Sequence, residues 1–314
     1  MKLLTLSNYV PEQIVDLVRF VNYNGIFRQS HFCKYIQDFT AMVLEDDSIN
    51  GAVIPSSCDS VRSAADLLAE SGKFIYQLKH PLGLGKNDER SQIYFAQSIE
   101  TYKENVASHF NITIDKDIVA ERTVELRERG KYLRDVYIQS QGLCYSEYIS
   151  QINIMLSHRL TDWKKYAPAP KNSILSGKRV YVIGPFLESV DMLCQIEKAG
   201  LQIVGDNLTN SKRLMWSDYV FEKDTIFTDI AAHILKYQVS PTVNRFAVTW
   251  EQDYAEIKSK NVQGVIFIHQ KFCEPYNYLF TLYSHKLENE GIPIICVYTG
   301  NENVSVFEGF SEMI

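Results

Sequence analysis

Short apolar runs alternate with longer amphipathic stretches along most of the chain. The apolar runs predict strands at 2–7, 51–56, 73–80, 178–185, 201–206, 263–269 and 292–298. The stretches with apolar residues at three- and four-residue spacing predict helices at 11–23, 58–72, 188–200 and 274–291. This alternation is typical of α/β proteins, in which helices cover largely parallel sheets.

The pattern also divides the chain into two halves. Residues 90–160 predict long helices, and the polar, proline-containing stretch 161–173 predicts a linker. A chain of 314 residues fits two domains of ~100–200 residues each. We therefore predict two flavodoxin- or Rossmann-like three-layer domains with mostly parallel sheets and a helical segment between them, one at 1–165 and one at 166–314.

Composition narrows the classes of function. A net charge of −6 argues against nucleic-acid and anionic-membrane partners, because both require a basic face. The sequence contains no apolar run near the ~20 residues of a membrane span, and its start does not resemble a signal peptide. Six cysteines in a chain of this length do not form a disulfide framework. The expectation is a cytoplasmic protein whose cysteines are free thiols or metal ligands.

Two cysteines occupy positions where α/β proteins bind ligands. Cys58 and Cys273 each follow a predicted buried strand and precede a predicted helix. Ligands of open α/β sheets bind beyond the carboxyl ends of the strands, and a helix N-terminus favours a thiolate. The wide spacing of Cys33, Cys58 and Cys273 forms no local metal motif, so buried structural cysteines remain an alternative.

Other candidates carry weaker signals. His269 lies at a predicted strand end four residues before Cys273 and could contact a cluster or ligand, although a structural histidine fits equally well. Arg213 closes the loop 205–213, which could form a wall of the site or a solvated loop. The segment 83–86 lacks the P-loop pattern, and 183–189 has one glycine where a dinucleotide fingerprint needs three.

The cysteine loops resemble those of the 2-hydroxyacyl-CoA dehydratase and benzoyl-CoA reductase family. The resemblance rests on IPSSCDSVRSAADLL (54–68) and on residues 261–300, with looser matches at 145–150, 177–184 and 205–213. It implies two flavodoxin-like domains that hold a 4Fe–4S cluster through three cysteines. Cys58 and Cys273 match two of these ligands. Cys33 falls where the third belongs, although Cys-Lys-Tyr replaces the usual Cys-Pro-Phe/Tyr.

The resemblance also implies a chemistry and a set of partners. Three thiolates leave one iron with an exchangeable position, and members of the family use it in low-potential one-electron chemistry on acyl-CoA or related small molecules. A homologous second subunit, or a second copy, pairs with the chain, and an ATP-dependent iron–sulfur activator supplies the electron. The expected enzyme is an oxygen-sensitive dehydratase or reductase, with a single or a double cluster, in which His269 and Arg213 contact the cluster or substrate.

The chain departs from the family pattern at both ends. It is short, and its C-terminal segment lacks the usual Gly-Gln-x-x-Thr-Arg run. We therefore weigh a divergent reductase and two further alternatives. One is a non-catalytic electron-relay or accessory subunit, and the other is a cluster-free α/β protein that binds a small molecule.

Overall fold

Two four-stranded parallel sheets organise the chain. The computed structural model describes residues 1–23, 31–81, 88–139, 144–169, 176–215, 218–238, 240–243, 246–300 and 304–314. The first sheet comprises β1 (Leu3–Thr5), β2 (Val18–Arg19), β3 (Gly51–Pro55) and β4 (Phe74–Leu78). The second comprises β5 (Lys178–Ile183), β6 (Leu201–Asn207), β7 (Gly264–His269) and β8 (Ile294–Tyr298). The predicted α/β class is confirmed, and each predicted strand is present.

Helices flank both sheets. They are α1 (Lys34–Glu45), α2 (Asp59–Ala69), α3 (Glu89–Phe110), α4 (Lys116–Gln139), α5 (Tyr145–Leu156), α6 (Asp191–Lys198), α7 (Ile226–Tyr237), α8 (Phe246–Ser259), α9 (Glu274–Asn289) and α10 (Val304–Met313). Short 3₁₀ helices lie at Leu160–Lys165, Lys212–Leu214 and Pro241–Val243. The long helical region predicted at 90–160 therefore consists of α3, α4 and α5.

The two sheets have the same strand order. The first runs β2-β1-β3-β4 and the second β6-β5-β7-β8, so each begins as a flavodoxin-like 2-1-3-4 arrangement. In such a sheet the second strand lies on one side of the first strand and the third strand lies on its other side. Ligands bind beyond the carboxyl ends of the first and third strands. Cys58 follows β3 and Cys273 follows β7. The two cysteines thus occupy equivalent places in the two sheets.

The predicted helix at 11–23 is wrong. Residues 12–14 form a turn, and Val18 and Arg19 form β2, which pairs in parallel with β1. Nearly every side chain from 11 to 20 is buried, whereas a helix at the surface would need one polar side. Glu12 and Arg19 are buried as an ion pair, in which Arg19 Nε donates to Glu12 Oε1 at 2.8 Å.

The described part of the predicted linker begins with a 3₁₀ helix. Trp163 in the 3₁₀ helix at 160–165 is buried, and its Nε1 donates to Glu125 on α4 at 2.9 Å. Residues 170–175 and the segment 83–86 lie outside the described residues. The boundary at 165/166 stays a prediction. Helix α7 of the C-terminal half packs against α3 of the N-terminal half.

No helix in the described ranges is both long enough and apolar enough to cross a membrane.

Candidate functional site

Cys33, Cys58 and Cys273 line one cavity of about 630 Å³. Each of them is the residue that immediately precedes a helix: α1, α2 and α9 respectively. The free N–H groups of three helix starts therefore surround the cavity, and they favour negative charge on the sulfur atoms. The structure brings together three thiols that lie far apart in the sequence.

The Cys58 and Cys273 loops are held by backbone hydrogen bonds. The N–H of Ser56 donates to the carbonyl of Leu78 at 2.9 Å, which ties the end of β3 to β4. The Cys273 N–H donates to the carbonyl of Gln270 at 3.0 Å, and Phe272 between them has φ = 68°. A left-handed phenylalanine is strained, and such residues occur preferentially at functional sites.

The Cys33 loop is attached to α2. The Ser60 hydroxyl donates to the carbonyl of His31 at 3.5 Å, and helices α1 and α2 pack together. The sequence interpretation did not include α1. Buried Ile36, Phe39 and Val43 recur at three- and four-residue spacing, and this signal could have identified the helix.

Burial is the main influence on the three thiols. It raises the pKa of Cys33 well above its ordinary value, the pKa of Cys58 above its ordinary value, and the pKa of Cys273 to about 12. The sulfur atoms also act on one another, since Cys273 and Cys58 both raise the pKa of Cys33.

Backbone N–H groups at the helix starts lower the pKa of each thiol. They belong to Ile36 for Cys33, to Ser60 and Val61 for Cys58, and to Tyr276 for Cys273. Three neighbouring thiolates therefore need a bound cation to offset their burial and mutual repulsion.

Among the described residues, no three His, Cys, Asp or Glu side chains are arranged to hold a single metal ion. An iron–sulfur cluster has a different requirement, because each cysteine binds a different iron of the cluster. Thiolates that surround a cavity of several hundred Å³ suit a polynuclear centre better than one ion. Cys33, Cys58 and Cys273 supply the thiol donors that such a group requires at one cavity.

His269 lies beside this cavity. It ends β7, is 4% exposed, and helps to line a neighbouring cavity of about 570 Å³ together with Cys273. Its ring packs edge-on against Tyr298 at a centroid distance of 5.0 Å. Both ring nitrogens are buried and lack a hydrogen bond of standard geometry within the described part of the chain, although backbone groups of Gln270 and Cys273 lie close to the ring. Burial lowers the pKa of the imidazole, while backbone groups of Cys273 and Gln270 oppose this effect.

Arg213 lies in neither of these cavities. Its guanidinium group is buried, and it donates to Asn207 at 2.9 Å and to the hydroxyl of Tyr276 at 3.1 Å. Tyr276 belongs to the first turn of α9, so Arg213 contacts the helix that begins after Cys273. Its link to the cysteine site is therefore indirect.

Sequence reasoning missed other residues around the cysteines. Asp59 and Arg62 form an ion pair at the rim, and Thr242 of the 3₁₀ helix at 241–243 lines the cavity from a distant part of the chain. Glu188 influences Cys33 from the loop after β5. Burial and the neighbouring Asp38 raise the pKa of Glu188, against an opposing effect of Lys34. The i,i+3 spacing of Asp59 and Arg62 was readable, whereas the other proximities depend on tertiary structure.

Fold and site define an α/β protein with three cysteines converging at helix starts. A family model described as "2-hydroxyglutaryl-CoA dehydratase, D-component" matches residues 25–313. The chain therefore belongs to the 2-hydroxyglutaryl-CoA dehydratase D-component family, which confirms the resemblance found in the sequence. It is similar to the (R)-phenyllactyl-CoA dehydratase beta subunit of Clostridium sporogenes, with 22% identity over 279 residues that cover 81% of this chain and 71% of that relative.

Proposed function

We propose that this chain is the iron–sulfur subunit of a 2-hydroxyacyl-CoA dehydratase-like enzyme. Cys33, Cys58 and Cys273 are the proposed ligands of a 4Fe–4S cluster. The observation that carries the proposal is the convergence of these three cysteines on one cavity in a member of a dehydratase family. The surrounding helix N-termini would stabilise the thiolates that the iron atoms require.

Three protein ligands would leave one iron of the cluster open to a substrate oxygen, and the bound cluster would supply one-electron chemistry. The chain's own residues position and shield this centre. Phe32 and Phe272 contribute apolar walls, and Arg62 and Asp59 form the charged rim. An apolar wall limits the access of water and so influences the potential of the cluster.

The cavity beside His269 is the proposed substrate pocket. It adjoins the cysteine cavity, since Phe272, Cys273 and Glu274 line both. Its other walls include Lys271, Asn277 and Thr299, which can donate hydrogen bonds to a carbonyl or carboxylate. His269 offers a further buried donor or acceptor. A pocket of this kind favours a substrate-binding subunit over a relay subunit.

The proposed partners are a homologous subunit and an ATP-dependent activator. The relative is named a beta subunit, which supports a multi-subunit enzyme. Tyr278 at the cavity rim is 69% exposed and Phe272 is 48% exposed. Large aromatic residues exposed beside a site that must exclude oxygen and water are consistent with cover by another chain.

Anaerobic purification followed by iron and acid-labile sulfide assays tests the cluster. The wild-type chain should bind about four iron atoms after reconstitution, and Cys58→Ala and Cys273→Ala should lose most of this iron together with the visible absorbance. Cys194→Ala is the matched control, because that half-buried thiol lies on α6 and lines neither cavity. Fewer than about two iron atoms per wild-type chain would contradict the proposal.

A second assay distinguishes an active subunit from a relay. The chain is combined with its homologous subunit, the activator and ATP, and dehydration of a 2-hydroxyacyl-CoA is followed. The accessory alternative would be supported instead if the chain held a full cluster but turnover of the complex did not depend on the His269 pocket.

A further inference from the structure

A third, much smaller cavity lies among largely buried residues, away from the cysteines. It has a volume of about 20 Å³ and adjoins the guanidinium-bearing residues Arg19, Arg129 and Arg213. All three arginines are at most 5% exposed. A cavity of this size holds one water molecule or one monatomic ion, since ~10–15 Å³ suffices for a water.

The charges around this cavity do not balance. Glu12 is the one carboxylate among its described lining residues. It is already bound by two of the three arginines, through Arg19 Nε at 2.8 Å and Arg129 Nη1 at 2.9 Å. The lining therefore carries three guanidinium groups and one carboxylate, an excess of positive charge among buried residues, where unpaired charge is costly.

Arg213 has no ion-pair partner of its own within the described residues. It donates to neutral groups, namely Asn207 Oδ1, Thr209 Oγ1 and the hydroxyl of Tyr276. Asp253 of α8 acts on it electrostatically without pairing with it. That carboxylate already accepts from the hydroxyls of Tyr181 and Tyr283 and from Asn207 Nδ2, and Lys212 lies 3.6 Å from it.

Two buried guanidinium atoms lack an acceptor in the described part of the chain. They are Arg129 Nε and Arg213 Nη2, and both residues line the small cavity. Buried donors normally have an acceptor. These two N–H groups therefore indicate a bound water molecule or ion in the cavity. The amide oxygens of Asn8 and Gln238 are also buried without a donor, and a water molecule could satisfy them. A water would not offset the excess positive charge of the lining.

We infer that this cavity binds a monatomic anion, chloride under ordinary conditions, between Arg129 and Arg213. The anion accepts the two unused N–H groups and offsets the positive charge that Glu12 leaves uncompensated. Arg213 also holds Tyr276 in the first turn of α9. The anion therefore fixes an arginine that braces the helix carrying Cys273 at its start.

Thermal unfolding of the anaerobically prepared full chain tests the site. Chloride is replaced by gluconate at constant ionic strength and pH 7. Chloride should raise the wild-type unfolding midpoint saturably, by ~2–4 °C or more. Arg213→Met should lose this dependence, whereas the matched control Arg134→Met should keep it. Arg134 lies on α4 with Arg129 but forms an exposed ion pair with Asp218 at 2.6 Å.

A bromide-soaked crystal provides a measurement that does not depend on a variant that folds. An anomalous peak within hydrogen-bond distance of Arg129 Nε and Arg213 Nη2 is expected. A water without anomalous signal at this position would overturn the inference. An equal chloride shift in wild type and Arg213→Met would overturn it as well.

Discussion

Cys33, Cys58 and Cys273 share a structural position although their sequence contexts differ. Each precedes the first turn of a helix and lines the same cavity. Cys58 and Cys273 could be predicted from sequence, because a buried strand and a helix flank each of them. Cys33 has no strand directly before it, so only the family resemblance indicated its place.

His269 is the residue whose contribution to catalysis is most directly testable. His269→Gln removes the imidazole from a buried position beside the proposed substrate pocket. We expect kcat/KM of the complete enzyme to fall by ~10–100-fold, with iron content and unfolding midpoint close to wild type. His285→Gln is the control, because His285 is exposed on α9. Full activity of His269→Gln would assign His269 a structural role.

Glu12 should give the protein a characteristic dependence on pH. Burial raises the pKa of its carboxyl, but Arg129 and Arg19 outweigh this effect and lower the pKa to about 2, from an ordinary value of 4.5. A lowered folded-state pKa contributes stability that is fully present above about pH 4.5 and disappears as pH falls towards 2. Glu12→Gln should therefore cost about 3–5 kcal/mol at pH 7, since it breaks a buried ion pair.

Urea unfolding of wild type and Glu12→Gln at several pH values, with chloride held constant, measures this difference. The gap between the two proteins should narrow progressively below pH 4.5. Asp218→Asn serves as the control, because its ion pair with Arg134 is largely exposed and should contribute little. A gap that stayed constant with pH would contradict the ion-pair account of Glu12.

At the scale of elements, the two sheets share their strand order and also a glycine at the start of the third strand. Gly51 begins β3 and Gly264 begins β7. A Cβ on Gly51 would lie 2.0 Å from the backbone carbonyl oxygen of Phe74, whereas one on Gly264 would lie 2.6 Å from the ring of Phe310. The backbone of a paired strand cannot move away as easily as the end of a side chain.

Gly51→Ala should therefore destabilise the protein by about 3 kcal/mol or more, and Gly264→Ala by about 1–2 kcal/mol. Gly309→Ala is a useful contrast, since a Cβ there meets nothing within 4 Å and alanine favours a helix by ~0.5–1 kcal/mol. Denaturant unfolding of the three variants gives the order directly. A smaller loss for Gly51→Ala than for Gly264→Ala would refute the close-approach explanation.

Most elements could be predicted from local pattern, and the exceptions have physical causes. The strands around Cys58 and Cys273 are continuous apolar runs, so their burial on both faces was readable. Segment 11–23 has apolar residues at helical spacing, which predicts a helix, whereas pairing with β1 and the Glu12–Arg19 ion pair hold it in another conformation. Thr242 and Glu188 approach the site only through tertiary packing, which no local pattern reveals.

At the scale of the whole molecule, the cores of the two halves are continuous. One apolar cluster contains Leu4 and Ile54 of the first sheet together with Val182 and Ile266 of the second. A second cluster joins β1 and β3 to α7, a helix from the C-terminal half. Tyr35 of α1 also stacks on Phe186, with ring centroids 5.0 Å apart. Unfolding either half would therefore expose apolar surface on the other.

This continuity predicts one cooperative unfolding transition for the full chain. Trp163 reports on the N-terminal half and Trp250 on the C-terminal half. In two variants, each retaining one of these tryptophans and phenylalanine at the other tryptophan positions, fluorescence and far-UV circular dichroism should give the same urea midpoint. Replacing buried Trp163 shifts the whole transition of the variant that lacks it. The fluorescence and circular dichroism midpoints are therefore compared within each variant. If Trp250 fluorescence changed at a different urea concentration from the circular dichroism signal, the halves would unfold independently despite their shared core.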